Sequence, residues 1–308
     1  MSKRDLLSVT DLDVSDIWWI FELTDSIINK EQTGEVYLPL SKKSVGLIFQ
    51  KPSTRTRISF EVGIQQLGGY PIFLRQDEIQ FGQRESIEDI AKTLSQYLDL
   101  IVARTYSHKD IELLAKFARV PVINALSDLF RPAQVLSDVY TIWKKKGKVK
   151  GINLTYIGDG GNNISHSLIL ISAMMGINIT IATPPEYMPA KEIILMAEKI
   201  SSNSGSRIKI THNSLESAYE ADIIYTDVWT SMGQEEEGMV REKIFAPYQI
   251  NTEVINTAKK DCLVMHCLPA HRGQEITSEV LDGPHSIVFE QARNKLLVQK
   301  GILVFLNQ

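Results

Sequence analysis

Only two cysteines occur in the 308 residues, Cys262 and Cys267, and both fall in one apolar run. Two thiols so close on one extended segment cannot build a disulfide framework, so reduced side chains are expected. No stretch comes near the ~18 uninterrupted apolar residues of a membrane span. The opening MSKRDLLSVTDLDVSD lacks the apolar centre of a secretory signal, and a cytoplasmic protein is expected. Neither sign of charge dominates: 33 basic against 37 acidic side chains leave a net charge of -4. That balance argues against nucleic acid or an anionic membrane as the main partner, so any anion site must be local. Low-complexity tracts and clear internal repeats are also missing.

What is present is an alternation. Short β-branched runs at 44–49, 71–75, 100–104 and 121–125 are separated by stretches of helical period, and a second series follows at 152–158, 178–183, 207–212, 222–228 and 262–268. Near-continuous apolar strands between helices predict parallel sheets covered on both faces. The expected fold is therefore α/β, with two doubly wound parallel-sheet domains linked by helices. The chain divides on this reading into residues 1–130, a linking helix over 131–150 started by Pro132, residues 151–290, and a last helix over about 291–308 packing back on the first domain. The segment Trp229 to Gln249 carries little strand pattern and reads as a functional loop.

The richest segment is FQKPSTRTRISFEVGIQQLGG. A strand ends at Phe49, and Ser53, Thr54, Arg55, Thr56 and Arg57 open an amphipathic helix. Hydroxyls, free backbone N–H groups and guanidinium forks at a helix start make a phosphate site. Capping would explain Ser53 alone. It does not explain two arginines in a first turn where the macrodipole disfavours cations. IGDGGNN (157–163) follows a strand and precedes a helix like a dinucleotide turn, but Asn163 stands at the third glycine position. The neighbouring Asn162 reads as an asparagine tolerating a left-handed turn. MHCLPAHR ends a strand with His266, Cys267 and His271; spacing and ligand count suit zinc poorly, and no metal is expected.

These motifs, in this order, resemble the aspartate and ornithine carbamoyltransferases over nearly the whole chain. The Ser-Thr-Arg-Thr-Arg run is followed by FGQRES, the arginine of VARTY, SDLFRPAQ, IGDGGNN, DVWTSMGQE and MHCLPAHRGQE. The Ser-Met-Gly loop after an aspartate is similar to the ornithine-specific members. The resemblance implies transfer of the carbamoyl group of carbamoyl phosphate to the δ-amine of ornithine, without cofactor or metal. It implies carbamoyl-phosphate contacts from Ser53, Thr54, Arg55, Thr56, Arg57, Arg104, Arg131, Gln134, Cys267, Leu268 and Lys295. Gln80 would reach in from a neighbouring subunit of a trimer. Ornithine would meet Asn163, Asp227, Ser231 and Met232, with Asp227 pairing the cationic α-amine and Ser231 and Met232 on a closing loop. Arg55, Arg131 and Cys267 would carry the chemistry, the two guanidinium groups stabilising the carbamoyl oxygen and the thiol accepting or relaying the amine proton.

Two positions depart from the family pattern. Arg131 stands where the family carries a histidine before Pro-x-Gln, and Lys295 stands where an arginine follows Asn294. The nearest alternative is a carbamoyltransferase for putrescine or a modified ornithine. The departures also motivate a non-catalytic carbamoyl-phosphate-binding regulator, and a dinucleotide enzyme is more distant still.

Overall fold

The computed structural model describes residues 3–50, 53–230 and 235–308, and divides the chain into two compact units. Unit 1 comprises Met1–Tyr140 and Arg293–Gln308, and unit 2 comprises Thr141–Ala292. In unit 1 the strands β1 (Ser44–Phe49), β2 (Tyr70–Arg75), β3 (Leu100–Arg104) and β4 (Val122–Leu126) form one parallel sheet in the order β2-β1-β3-β4. Its first helices are α1 (Val14–Thr33), α2 (Thr54–Gln66), α3 (Ile87–Leu94) and α4 (His108–Phe117). Strands β3 and β4 are buried at every residue, as strands covered on both faces must be.

Helix α2 shows how sequence makes the element that matters most. Thr56, Phe60, Gly63 and Ile64 are its buried residues, a spacing of four, three and one that puts them on one stripe. The C-terminal helix lies against this stripe within unit 1, where a Cβ on Gly63 would be in ordinary van der Waals contact with Leu296 Cδ1, at 3.4 Å.

The helix α5 (Pro132–Lys146) begins in unit 1 and ends in unit 2. Unit 2 then builds β5 (Asn153–Ile157), α6 (Asn163–Met175), β6 (Asn178–Ala182), α7 (Lys191–Ser204), β7 (Ile208–Thr211), β8 (Ile223–Thr226), α8 (Gly238–Phe245) and β9 (Leu263–His266). Its parallel sheet runs β7-β6-β5-β8-β9. Helix α6 is buried almost all round, which fits its run of Ile, Leu, Ala and small hydroxyl residues. The last helix, α9 (Val288–Leu306), returns the chain to unit 1, where Lys300 bonds Glu31.

Among the described residues, the nine strands lie where the β-branched runs place them, within one or two residues at each end. The segment 229–249 corrects the loop expectation. Residues Gly238–Phe245 are helical, because Arg241 and Phe245 recur four apart and bury one face. Asn162 is corrected too: its φ is -87°, and its side chain caps α6 by accepting from Ser165 N at 2.8 Å.

Both sheets have a point where strand order reverses, between β1 and β3 in unit 1 and between β5 and β8 in unit 2. Open α/β sheets bind ligands at the carboxyl ends of the strands beside such a point. The motifs singled out from the sequence follow those strand ends.

Candidate active site

In unit 1 the register brings the candidate residues level with one another. Phe49, the last residue of β1, pairs with Arg104, the last of β3, and Gln50 N donates to Arg104 O at 2.9 Å. Arg104 is 6% exposed. Beyond β1 the chain enters α2 with Ser53 at the cap position in extended conformation, yet its hydroxyl makes no cap bond. Capping therefore does not account for Ser53. Thr54 and Arg55 are exposed, whereas Thr56 is buried and accepts a hydrogen bond from Lys295 Nζ at 2.9 Å. Arg57 is set apart from that contact. Its Nε donates to Glu61 at 2.9 Å, and its guanidinium lies 3.7 Å over the ring centre of Phe73. With Ser53, Thr54 and Phe73 it lines a cavity of about 590 Å³.

Beyond β4, Arg131 and Gln134 are both buried at the start of α5. Gln134 Nε2 donates to Asp138 at 2.9 Å, and Arg131 O accepts from the backbone N–H groups of Gln134 and Val135. Gln80 is exposed, with φ +45°, and its carbonyl accepts from Gln83 N and Arg84 N.

Unit 2 collects the other set. Thr226 of β8 pairs with His266 of β9, so Asp227 and Cys267 each stand one residue past a paired position on neighbouring strands. The carboxylate of Asp227, the ring of His266 and the thiol of Cys267 lie within 4.8 Å of one another, and all three residues are buried. Asp227 Oδ1 accepts from Val228 N at 2.8 Å. Leu268 adopts φ +58°, an uncommon backbone for a residue with a Cβ. Its N–H donates to His266 Nδ1 at 2.8 Å, which helps to hold it there.

Around β5, Asn163 opens α6 while Asn162 donates to the Tyr156 hydroxyl at 2.8 Å. Burial, with the charges of Asp227 and Asp159 adding to it, pushes the Tyr156 phenol well above its usual range and keeps it neutral. A Cβ at Gly160 would meet Tyr187 O at 2.8 Å and Pro189 Cδ at 3.0 Å. The glycine there serves close packing of protein on protein, which removes the reason to read a dinucleotide turn. Ser231 and Met232 lie outside the described residues.

Residues 4–144 match the family described as aspartate/ornithine carbamoyltransferase, carbamoyl-P binding domain, and residues 150–306 match its Asp/Orn binding domain. The chain is 46% identical over 306 residues to the ornithine carbamoyltransferase of Pyrococcus horikoshii, covering 99% of this chain and 96% of that one. Identity to the ornithine carbamoyltransferase of Oceanobacillus iheyensis is 48%, covering 99% and 95%. The chain belongs to the aspartate/ornithine carbamoyltransferase family.

Solved structures of the family agree in fold. The ornithine carbamoyltransferase of Pyrococcus furiosus superposes with a TM-score of 0.95 at 46% identity, covering 98% of this chain and 96% of that one. The ornithine transcarbamoylase of Giardia lamblia gives 0.90 at 29% identity, covering 100% and 99%. The framework that carries Arg131 and Lys295 is thus the one these solved structures share.

Two features escaped sequence reasoning. The first is Glu275, wholly buried, whose Oε1 accepts from His271 N at 2.6 Å and faces His266 Nε2 at 3.0 Å. Because His266 Nδ1 accepts from Leu268, Nε2 carries the ring hydrogen. Both nitrogens of His266 are engaged, so the Asp227–His266–Cys267 set does not suit a metal without breaking one of these bonds. The second is Arg241, 2% exposed, which pairs with Asp159 of the glycine-rich turn. Its Nε donates to Trp229 O at 2.6 Å, and its guanidinium stacks 4.6 Å from the Tyr187 ring centre. Burial raises the Asp159 carboxyl, and Arg241 opposes that shift. No sequence signal announced the Arg241–Asp159 pair, whose members are remote along the chain; Glu275 does close the MHCLPAHRGQE motif, but the motif alone does not show that its carboxylate faces the His266 ring.

Proposed function

We propose that this chain transfers the carbamoyl group of carbamoyl phosphate to the δ-amine of L-ornithine, giving L-citrulline and phosphate. The observation that carries the reading is the pair Asp227 and Cys267, buried side by side past the ends of β8 and β9 in a chain of this family. Asp227 supplies the carboxylate that a cationic α-amine requires. Asn163 adds a polar contact, and Ser231 and Met232 complete the ornithine set.

Carbamoyl phosphate binds at the first turn of α2. Ser53, Thr54, Arg55 and Thr56 offer hydroxyls, N–H groups and a guanidinium to the phosphate, and Arg57, held by Glu61, adds positive potential. Arg104, Gln134 and Lys295 extend this set. The neutral δ-amine attacks the carbamoyl carbon, a C–N bond forms, and charge gathers on the carbamoyl oxygen, where Arg55, Thr56 and Arg131 donate. The Leu268 backbone orients the carbamoyl nitrogen. The C–O bond to phosphate then breaks, phosphate leaves with the electron pair, and the amine gives up a proton that Cys267 accepts or relays. The reaction needs no cofactor or metal. The working assembly is a homotrimer in the cytoplasm, with Gln80 reaching the neighbouring subunit's donor site. Citrulline formation by the purified protein tests the reading; binding of carbamoyl phosphate without turnover would replace it by a regulatory one.

A further inference from the structure

His108 opens α4 and touches the turn Ser127–Phe130 three times. Its backbone N–H donates to Asp128 Oδ1 at 2.7 Å, its ring Nδ1 lies 2.9 Å from Ser127 Oγ, and its ring meets that of Phe130 edge-on at 5.0 Å. Ser127 in turn holds Phe130 at both ends of the turn. Ser127 N donates to Phe130 O at 3.0 Å, and Phe130 N donates to Ser127 Oγ at 3.2 Å. Asn124, wholly buried, ties the same turn to the N-terminal segment, donating at 3.3 Å to Phe130 O and at 2.9 Å to Leu7 O. The next residue is Arg131.

The direction of the hydroxyl hydrogen follows from what Ser127 Oγ already accepts. Phe130 N at 3.2 Å and Asn124 Nδ2 at 3.3 Å occupy its two lone pairs. Its hydrogen is then its part in the 2.9 Å contact with His108 Nδ1, so His108 accepts there and carries its own hydrogen on Nε2, the side of Glu112 at 3.9 Å. A Ser–His–Glu set invites comparison with a hydrolase. Ser127 is wholly buried and its oxygen already accepts from Phe130 N and Asn124 Nδ2, so it cannot serve as a nucleophile.

We propose that His108 is a positioning residue for carbamoyl transfer: its neutral ring accepts from Ser127, locks the turn Ser127–Phe130, and thereby aims Arg131. The inference rests on the reading of Arg131 as a donor to the carbamoyl oxygen. Burial of the ring supports it, since it favours the neutral form that can accept.

The test is a double-mutant cycle on the full chain, following citrulline formation at saturating substrates. His108→Asn keeps an acceptor near the place of Nδ1, whereas His108→Gln and His108→Leu do not. Turnover should fall roughly tenfold in the Gln and Leu variants and recover in Asn, with the KM for ornithine changed less than about twofold. In an Arg131→Ala background the His108→Gln change should cost less than about twofold more. Equal loss in both backgrounds, or equal turnover of the Asn and Gln variants, overturns the positioning role. If Arg131→Ala alone keeps wild-type turnover, it is the Arg131 reading that fails. Because all three substitutions are compared at matched folded fraction, a Leu variant that does not fold still leaves the Asn and Gln comparison decisive.

Discussion

Lys295 Nζ donates to Thr56 Oγ1 at 2.9 Å, joining the C-terminal helix to the first turn of α2 across 239 residues of sequence. Lys295 therefore delivers a cation to the Ser-Thr-Arg-Thr-Arg turn. It does so as a point charge on a flexible stem rather than as a planar fork.

Removing that cation should weaken the donor substrate first. Lys295→Met is expected to raise the KM for carbamoyl phosphate by roughly tenfold or more, the worth of one hydrogen bond to a charged group, while leaving the KM for ornithine nearly unchanged. Initial rates over a grid of both substrates check this. A purely ornithine-directed effect would remove Lys295 from the donor set.

Arg131 is expected to stabilise the developing oxyanion. Arg131→Ala should cut turnover by roughly 10² to 10³, and Arg131→His should recover part of it. A change below about threefold would mean that another group holds the oxygen.

Asp227 is expected to govern the choice of acceptor. Asp227→Asn should lower the specificity constant for ornithine by roughly 10- to 100-fold, and the wild type should prefer ornithine strongly over putrescine, which lacks the α-amino acid group. Comparable rates with both amines would assign the pocket to a different acceptor.

Arg241 and Asp159 form a buried pair, and breaking one side should destabilise the fold. Arg241→Met leaves Asp159 buried without its cation and is expected to cost about 3–5 kcal/mol, with part of the loss regained when Asp159→Asn is added. Urea unfolding of the single and double variants measures the difference.

The pH dependence of stability has a signed expectation at His108. Burial holds its pKa below the ordinary 6.5, against the nearby charges of Glu112, Asp128 and Asp11. The unfolded chain then binds a proton that the folded chain resists, so this contribution is complete above 6.5 and declines as pH falls below it, until the folded ring is itself protonated. Between pH about 7.5 and about 5.5 the wild type should lose more unfolding free energy than His108→Asn. An equal loss would place the titration elsewhere.

Much of this protein is legible along the chain. Parallel strands bury both faces, so their apolar runs stand out, and the residues that follow β1, β3, β4, β5, β8 and β9 are those the motifs mark. Helix Gly238–Phe245 was not legible, because its amphipathic stripe is only two residues, Arg241 and Phe245, and one of them is charged. Asn162 was misread because a cap and a left-handed turn attract the same side chain.

The sequence by itself determined the α/β class, the strand positions and the residue types available for an anion and an amino acid. These follow from local periodicity and from side-chain chemistry, which neighbours along the chain suffice to express. Only the tertiary structure decided that Lys295 meets Thr56, that Arg241 pairs with Asp159, and that His108 holds the turn before Arg131. Those relationships join residues on different elements. Their partners are chosen by sheet register and helix packing, whose geometry no local stretch of sequence contains.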